Sequence, residues 1–157
     1  MTEQQDYEGR RAELRRMFQV ENAGPSDGVV TGGVHHLALI CSDMEATIRF
    51  YTEVLEMRLN RIVQNRDEPS STHIFLDMGG GNQLAFFDFP SLGPQPTVRG
   101  IGSMHHVAIK AEPARYKTIV QTLKKRGIAH SIHGSEDLGS VYLHDPDNIL
   151  VEITTGY

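Results

Sequence analysis

Two histidine pairs in matching settings, and one acidic residue inside an apolar run, are where this chain could do chemistry. Val34-His35-His36-Leu37-Ala38-Leu39-Ile40 is echoed 70 residues later by Met104-His105-His106-Val107-Ala108-Ile109-Lys110. Gly81-Asn82-Gln83-Leu84-Ala85-Phe86-Phe87 is echoed, at an offset of 66, by Asp147-Asn148-Ile149-Leu150-Val151-Glu152-Ile153. Read as strands, these runs sort by parity, because successive side chains point to opposite faces. The bulky Leu37 and Leu39, Val107 and Ile109, Val151 and Ile153 take one side and are expected to lie under helices. His36, His106 and Glu152 fall on the other, beside the small Ala38 and Ala108, which leaves room for a cavity. A carboxylate inside Ile149-Leu150-Val151-Glu152-Ile153 is costly to bury alone and needs a cation or hydrogen-bond donors. Two imidazoles and a carboxylate are the donor set of a facial triad, which binds one divalent cation and leaves positions open for substrate or oxygen. Taken singly, each histidine is better explained as a hydrogen-bonded structural residue than as a ligand. Recurrence at matching positions is what favours a metal.

Such a triad needs strands to carry it. Ser42 and Glu45 have capping-box spacing, and Met44, Ile48, Tyr51 and Leu55 recur with a helical period, which predicts a helix over 43–55. In the second half Pro113 suits a first helical position, Tyr116, Ile119, Val120 and Leu123 form the apolar stripe, and Gly127 is a stop. Each helix is followed by three short runs rich in β-branched and aromatic residues, at 59–65, 72–78 and 83–89, then at 128–133, 140–144 and 149–155. The turns Gly79-Gly80-Gly81-Asn82 and Asp145-Pro146-Asp147-Asn148 suit tight connections, and the glycines lack the helix and Lys-Ser/Thr that a phosphate cradle requires. Each half therefore reads β-α-β-β-β. Residues 1–31 read as an appendage: an Arg- and Glu-rich helix to about residue 20 with a thin stripe of Tyr7, Leu14, Met17 and Phe18, then a linker.

Composition narrows the partners. A chain of 157 residues, 39% apolar, supports one ordinary core, and a net charge of -5 argues against a surface built to neutralise nucleic-acid phosphates. A small molecule is the expected partner. Apolar runs are only a few residues long and the segment 1–16 is charged, so neither a membrane span nor a leader is expected, and a cytoplasmic protein is. Cys41, the one cysteine, lies in a strand-like run as a buried structural thiol. His35 and His105 fall on the helix side and are expected to donate to backbone carbonyls, while His130 and His133 sit in a polar, edge-like strand. Phe86, Phe87 and Phe89 suit either the core or an apolar pocket.

The run from Val34 to Asp43, the pair Phe50-Tyr51 and the ending Tyr142-Leu143-His144-Asp145-Pro146-Asp147-Asn148-Ile149-Leu150-Val151-Glu152-Ile153 together resemble the vicinal oxygen chelate superfamily over residues 33–155. That superfamily includes glyoxalase I, fosfomycin-resistance proteins, bleomycin-binding proteins and extradiol ring-cleavage dioxygenases. The resemblance implies an α+β fold in which two βαβββ modules, 32–91 and 102–157 of a domain spanning 32–157, form a curved, barrel-like mixed sheet around a metal cleft. It implies a homodimer. It also selects His36, seven residues before Asp43, then His106 by the repeat, and Glu152 as metal ligands. Glyoxalase I draws a fourth ligand from the last strand of its first module. The offset of 66 places Phe86 there, which cannot bind a metal, and Asp88, two residues on, could reach inward only if the strand slipped. Three ligands fit a ring-cleaving dioxygenase acting on a catechol-like diol, with Fe(II) favoured and Mn, Ni or Zn possible. Tyr142, His144 and His73 are the acid/base candidates. A glyoxalase- or fosfomycin-type isomerase, lyase or transferase, or a noncatalytic binding protein of the same fold, are the alternatives.

Overall fold

A computed structural model describes residues 7–19, 31–93 and 95–156. Helix α1, Tyr7–Phe18, belongs to a first compact unit that ends at Gly33, and everything from Val34 onward forms a second. Arg11 and Arg15 both pair with Glu8 along α1, where Met17 and Phe18 stay exposed. The linker expected over 22–28 and the helix expected before Tyr7 lie outside the described residues.

In the second unit each half runs strand, helix, strand, strand, strand. The first half comprises β1 (His36–Cys41), α2 (Met44–Arg49), β2 (Arg58–Gln64), β3 (Thr72–Gly79) and β4 (Asn82–Asp88). The second comprises β5 (Val107–Lys110), α3 (Pro113–Arg126), β6 (His130–Gly134), β7 (Gly139–His144) and β8 (Leu150–Thr154). Two four-stranded mixed sheets result, ordered β1-β4-β3-β2 and β5-β8-β7-β6, with the first strand of each parallel to the last. Neither closes into a barrel.

α3 forms where its stripe demands it. Tyr116, Ile119, Val120 and Leu123 are all buried, Pro113 occupies the first turn, and Gly127 ends the helix at φ 66°, a left-handed conformation that costs glycine nothing. The helix of the first half differs in two ways from the single capped helix predicted over 43–55. Asp43, and not Ser42, is the cap, its side chain accepting from Ala46 N at 3.0 Å, and the helix widens into a π-helical turn over Phe50–Val54. Ser42 N instead donates to Asp147 at 3.0 Å.

The two halves share one core. Tyr51, Val54 and Leu55 from the first cluster with Ile109, Tyr116, Ile119 and Ile153 from the second. Tyr51 Oη donates to Asp145 at 3.1 Å and Arg115 Nη2 to the Leu55 carbonyl at 3.0 Å, so polar links join the halves along the same seam. The helix-covered faces are therefore turned inward. The opposite faces look outward, where His36, Ala38 and Ile40 on β1 and Ala108 and Lys110 on β5 are exposed. Among the described residues no helix is long and apolar enough to cross a membrane.

Candidate metal centre

Strand register settles which side chains share a face. In the second sheet Ala108 pairs with Glu152, and Glu152 with Tyr142, so one face carries His106, Ala108, Glu152 and Tyr142. Glu152 is fully buried, and its Oε2 lies 3.0 Å from His106 Nε2, whose ring is partly exposed. Two donor atoms, each about 2.1 Å from one cation and at right angles to one another, are about 3 Å apart, so this imidazole and carboxylate are spaced as neighbouring ligands. The donor set fits a divalent cation on the same grounds: a neutral imidazole nitrogen plus a hard carboxylate suits Fe, Mn, Ni or Zn.

His36 takes the corresponding place on the first sheet. Its ring meets Phe75 edge-on at 5.8 Å. His73 lies on the same face, stacked 3.7 Å from the Phe87 ring and 4.1 Å from that of Phe75. The His73 Nε2 is buried without a hydrogen-bond partner among the described residues. Burial, assisted by the neighbouring His36 and Arg61, pushes its pKa below the ordinary histidine value, so it is neutral at physiological pH.

Within one chain the three expected ligands do not converge. His106 and Glu152 meet, but His36 sits with His73 and Phe75 on the other sheet. Among the described residues no three His, Cys, Asp or Glu side chains gather around one point. The physical reason is the packing of the two halves, which turns their helix sides toward each other and leaves the faces of His36 and of His106 outside the shared core. A concavity of about 330 Å³ does lie between the halves, lined by Leu55, Met57, Ile109, Arg115 and Ile153 among others, but none of the three ligand candidates borders it.

The acid/base candidates divide in the same way. Tyr142 is 6.2 Å, ring to ring, from His106, and His144 shares its face farther along, exposed and opposite Leu150. His73 accompanies His36. The alignment of Phe86 with Glu152 is corrected by one residue: Ala38 pairs with Ala85 as Ala108 pairs with Glu152. Ala85 is thus the counterpart, and it offers no ligand. Phe86 is fully buried on the helix side beside Tyr51, and Asp88, on that side too, accepts from Thr72 N at 2.5 Å.

Two features escaped the sequence. His133, read as part of a polar, edge-like strand, pairs with Ser140 and stands 5.6 Å from the Tyr142 ring on the face of His106 and Glu152. Among the described residues no carbonyl accepts from His35 or His105; Nδ1 of each meets Nδ1 of the next histidine, at 2.8 Å for His35 and His36 and at 2.7 Å for His105 and His106. The doubled His-His step was the visible signal for the second, while the first needed the β6–β7 register.

Comparison with known proteins gives a consistent picture. The model of the Glyoxalase/Bleomycin resistance protein/Dioxygenase superfamily matches residues 33–153. MhqE of Bacillus subtilis, provisionally named a ring-cleaving dioxygenase, is 31% identical over 102 residues, which are 63% of this chain and 33% of MhqE. MhqA of the same organism, named likewise, is 32% identical over 65 residues, 40% of this chain and 21% of MhqA. This chain thus matches a third or less of those relatives' length. Among solved structures, a glyoxalase/bleomycin resistance protein/dioxygenase domain from Frankia is 19% identical, with a TM-score of 0.69 over 81% of this chain and 99% of its own. The fosfomycin resistance protein FosX of Listeria monocytogenes, crystallised with Mn(II) and a dihydroxypropylphosphonic acid, is 19% identical, with a TM-score of 0.61 over 81% and 94%. The glyoxalase I of Leishmania major is 21% identical, with a TM-score of 0.63 over 79% and 86%.

Proposed function

The chain belongs to the glyoxalase/bleomycin resistance/dioxygenase superfamily, and from that premise we propose that it is a divalent-metal enzyme of ring-cleaving dioxygenase type, with His36 of one copy and His106 and Glu152 of a second copy as ligands. The observation that carries this reading is the 3.0 Å approach of His106 Nε2, on a partly exposed ring, to the fully buried Glu152 carboxylate. Among the described residues no third His, Cys, Asp or Glu joins this pair within the chain, and the exposed face bearing His36 on a second copy can supply one. A two-fold arrangement then completes two identical centres at once, because each chain offers one half of each.

When bound, the cation, Fe(II) in this reading, supplies Lewis-acid polarisation of a chelating diol and one-electron chemistry toward dioxygen. The chain's own residues do the rest. His73, Phe75 and Phe87 present an aromatic surface beside His36 on which a planar ring can stack. The neutral His73 can accept a proton from a substrate hydroxyl. From the other sheet, Tyr142 stands between His106 and His133, placed to hold a substrate oxygen or return a proton to it. His144, exposed at the end of that face, is the outer candidate for proton exchange with solvent.

A second reading, metal-dependent isomerisation or addition without oxygen, is favoured by one observation: FosX and glyoxalase I align along most of their lengths, whereas MhqA and MhqE are much longer than the region matched. Oxygen uptake separates the two. Protein loaded anaerobically with Fe(II) should consume oxygen when given a catechol, and protein loaded with Mn(II), Ni(II) or Zn(II) should not. Turnover of an epoxide or hemithioacetal under Mn, Ni or Zn without oxygen would overturn the dioxygenase reading in favour of the second. Ligand binding that survives chelation, with no turnover under any metal, would mark a sequestering protein.

A further inference from the structure

We propose that His35 and His105 are positioning residues of the metal centre, each fixing the tautomer and the ring orientation of the histidine that follows it. The proposal rests on His36 and His106 being ligands. The same geometry is built twice: Nδ1 to Nδ1 distances of 2.8 and 2.7 Å, ring centroids 5.1 and 5.0 Å apart, and interplanar angles of 82° and 79°. Both preceding histidines are exposed, so packing in the core does not account for the arrangement.

The chemistry assigns the proton. A hydrogen bond between two Nδ1 atoms contains one hydrogen, donated by one ring and accepted by the other. At His106 the atom that faces Glu152 is Nε2, at 3.0 Å, so a cation between them takes the Nε2 lone pair. The imidazole proton of His106 must then sit on Nδ1, and His105 Nδ1 is its acceptor, with the His105 proton on Nε2. The repeat places His35 in the same relation to His36. A metal-bound imidazole that donates through its other nitrogen is held in one rotamer and made a better base, and loss of such an outer partner lowers metal affinity by about 10- to 100-fold. The sequence His-His is thus a ligand preceded by its own acceptor, at the entry to β1 in the first half and just before β5 in the second.

Metal-free protein titrated with Co(II), followed by calorimetry and by the visible absorption of the bound ion, tests this. His105→Phe keeps a ring and removes the acceptor, His105→Asn returns an oxygen close to the Nδ1 position, and His106→Ala is the ligand control. The expected result is a 10- to 100-fold weaker Co(II) affinity and an altered absorption band for His105→Phe, both largely restored in His105→Asn, with the thermal midpoint of the metal-free protein unchanged in each. If His105→Phe binds Co(II) like the wild type while His106→Ala does not, the positioning role is wrong and the ligand assignment stands. If both bind like the wild type, the ligand assignment is wrong and the positioning role falls with it. A loss in His105→Phe that His105→Asn fails to restore also overturns it.

Discussion

At the scale of single residues, what matters most is a charge in the wrong place for a core. Glu152 is fully buried in the middle of β8, and a carboxylate there is tolerated only where a cation or donors compensate its desolvation. Glu152→Gln keeps the volume and removes the charge. The metal-free variant should therefore be no less stable than the wild type, yet it should bind a divalent cation roughly 100-fold more weakly and lose the metal-dependent rise in melting temperature. Calorimetric titration and paired melting curves with and without chelator check both halves of that expectation. Cys41 is a different case, a buried side chain without chemistry. Burial pushes its thiol up to about 11, leaving almost no thiolate at neutral pH. It should resist iodoacetamide in the native state and be alkylated promptly after denaturation, as read by mass spectrometry.

At the scale of elements, the turn between β7 and β8 ties the halves together. Asp145 accepts from Asp147 N at 2.9 Å and Ile149 N at 2.8 Å while taking the Tyr51 hydroxyl of the first half at 3.1 Å. Asp145→Ala strands all three donors and should cost about 1–3 kcal/mol in chemical denaturation. Burial raises the Asp145 carboxyl above its ordinary value of 3.8, against those hydrogen bonds. A folded-state pKa above the unfolded one means the native state binds the proton more tightly. The stability this residue contributes is therefore greatest below pH 3.8 and is lost as pH rises through the raised value. Asp145→Asn should not show that loss, so its stability relative to wild type should improve across this pH window.

The same turn explains what could and could not be read from the chain. The halves, both helices and the inward stripe of α3 were legible because apolar periodicity and the Pro113 and Gly127 signals need no partner to be recognised. Which residue faces Glu152's counterpart was not. Matching Asn82 to Asn148 by identity gives an offset of 66, but Gly79, Gly80 and Gly81 all take positive φ where the second turn has only Asn148 in that region, so the two turns do not correspond residue by residue. Strand pairing, Ala38 with Ala85 and Ala108 with Glu152, gives an offset one greater. A slip of one residue turns every side chain of a strand to its other face, which is why Phe86 was expected at the cleft and lies in the core. Register also sets His73 opposite Phe87 and on the His36 face.

At the scale of the whole molecule, the ligand set was legible but its assembly was not, because strand parity gives a face and says nothing of which faces meet. One core built from the helix sides of both halves leaves the face of His36 and the face of His106 and Glu152 outside it. On the proposed assignment each cation needs two chains of 17.5 kDa and is held between them. Metal content in a mixture of two defective variants tests that requirement. His36→Ala and Glu152→Ala, each purified alone, should bind almost no divalent metal. Unfolded together in equal amounts and refolded, half of the dimers pair one of each and hold one intact centre, so roughly a quarter of the wild-type metal content should return. A mixture that stays as empty as its two components would contradict a centre shared between copies.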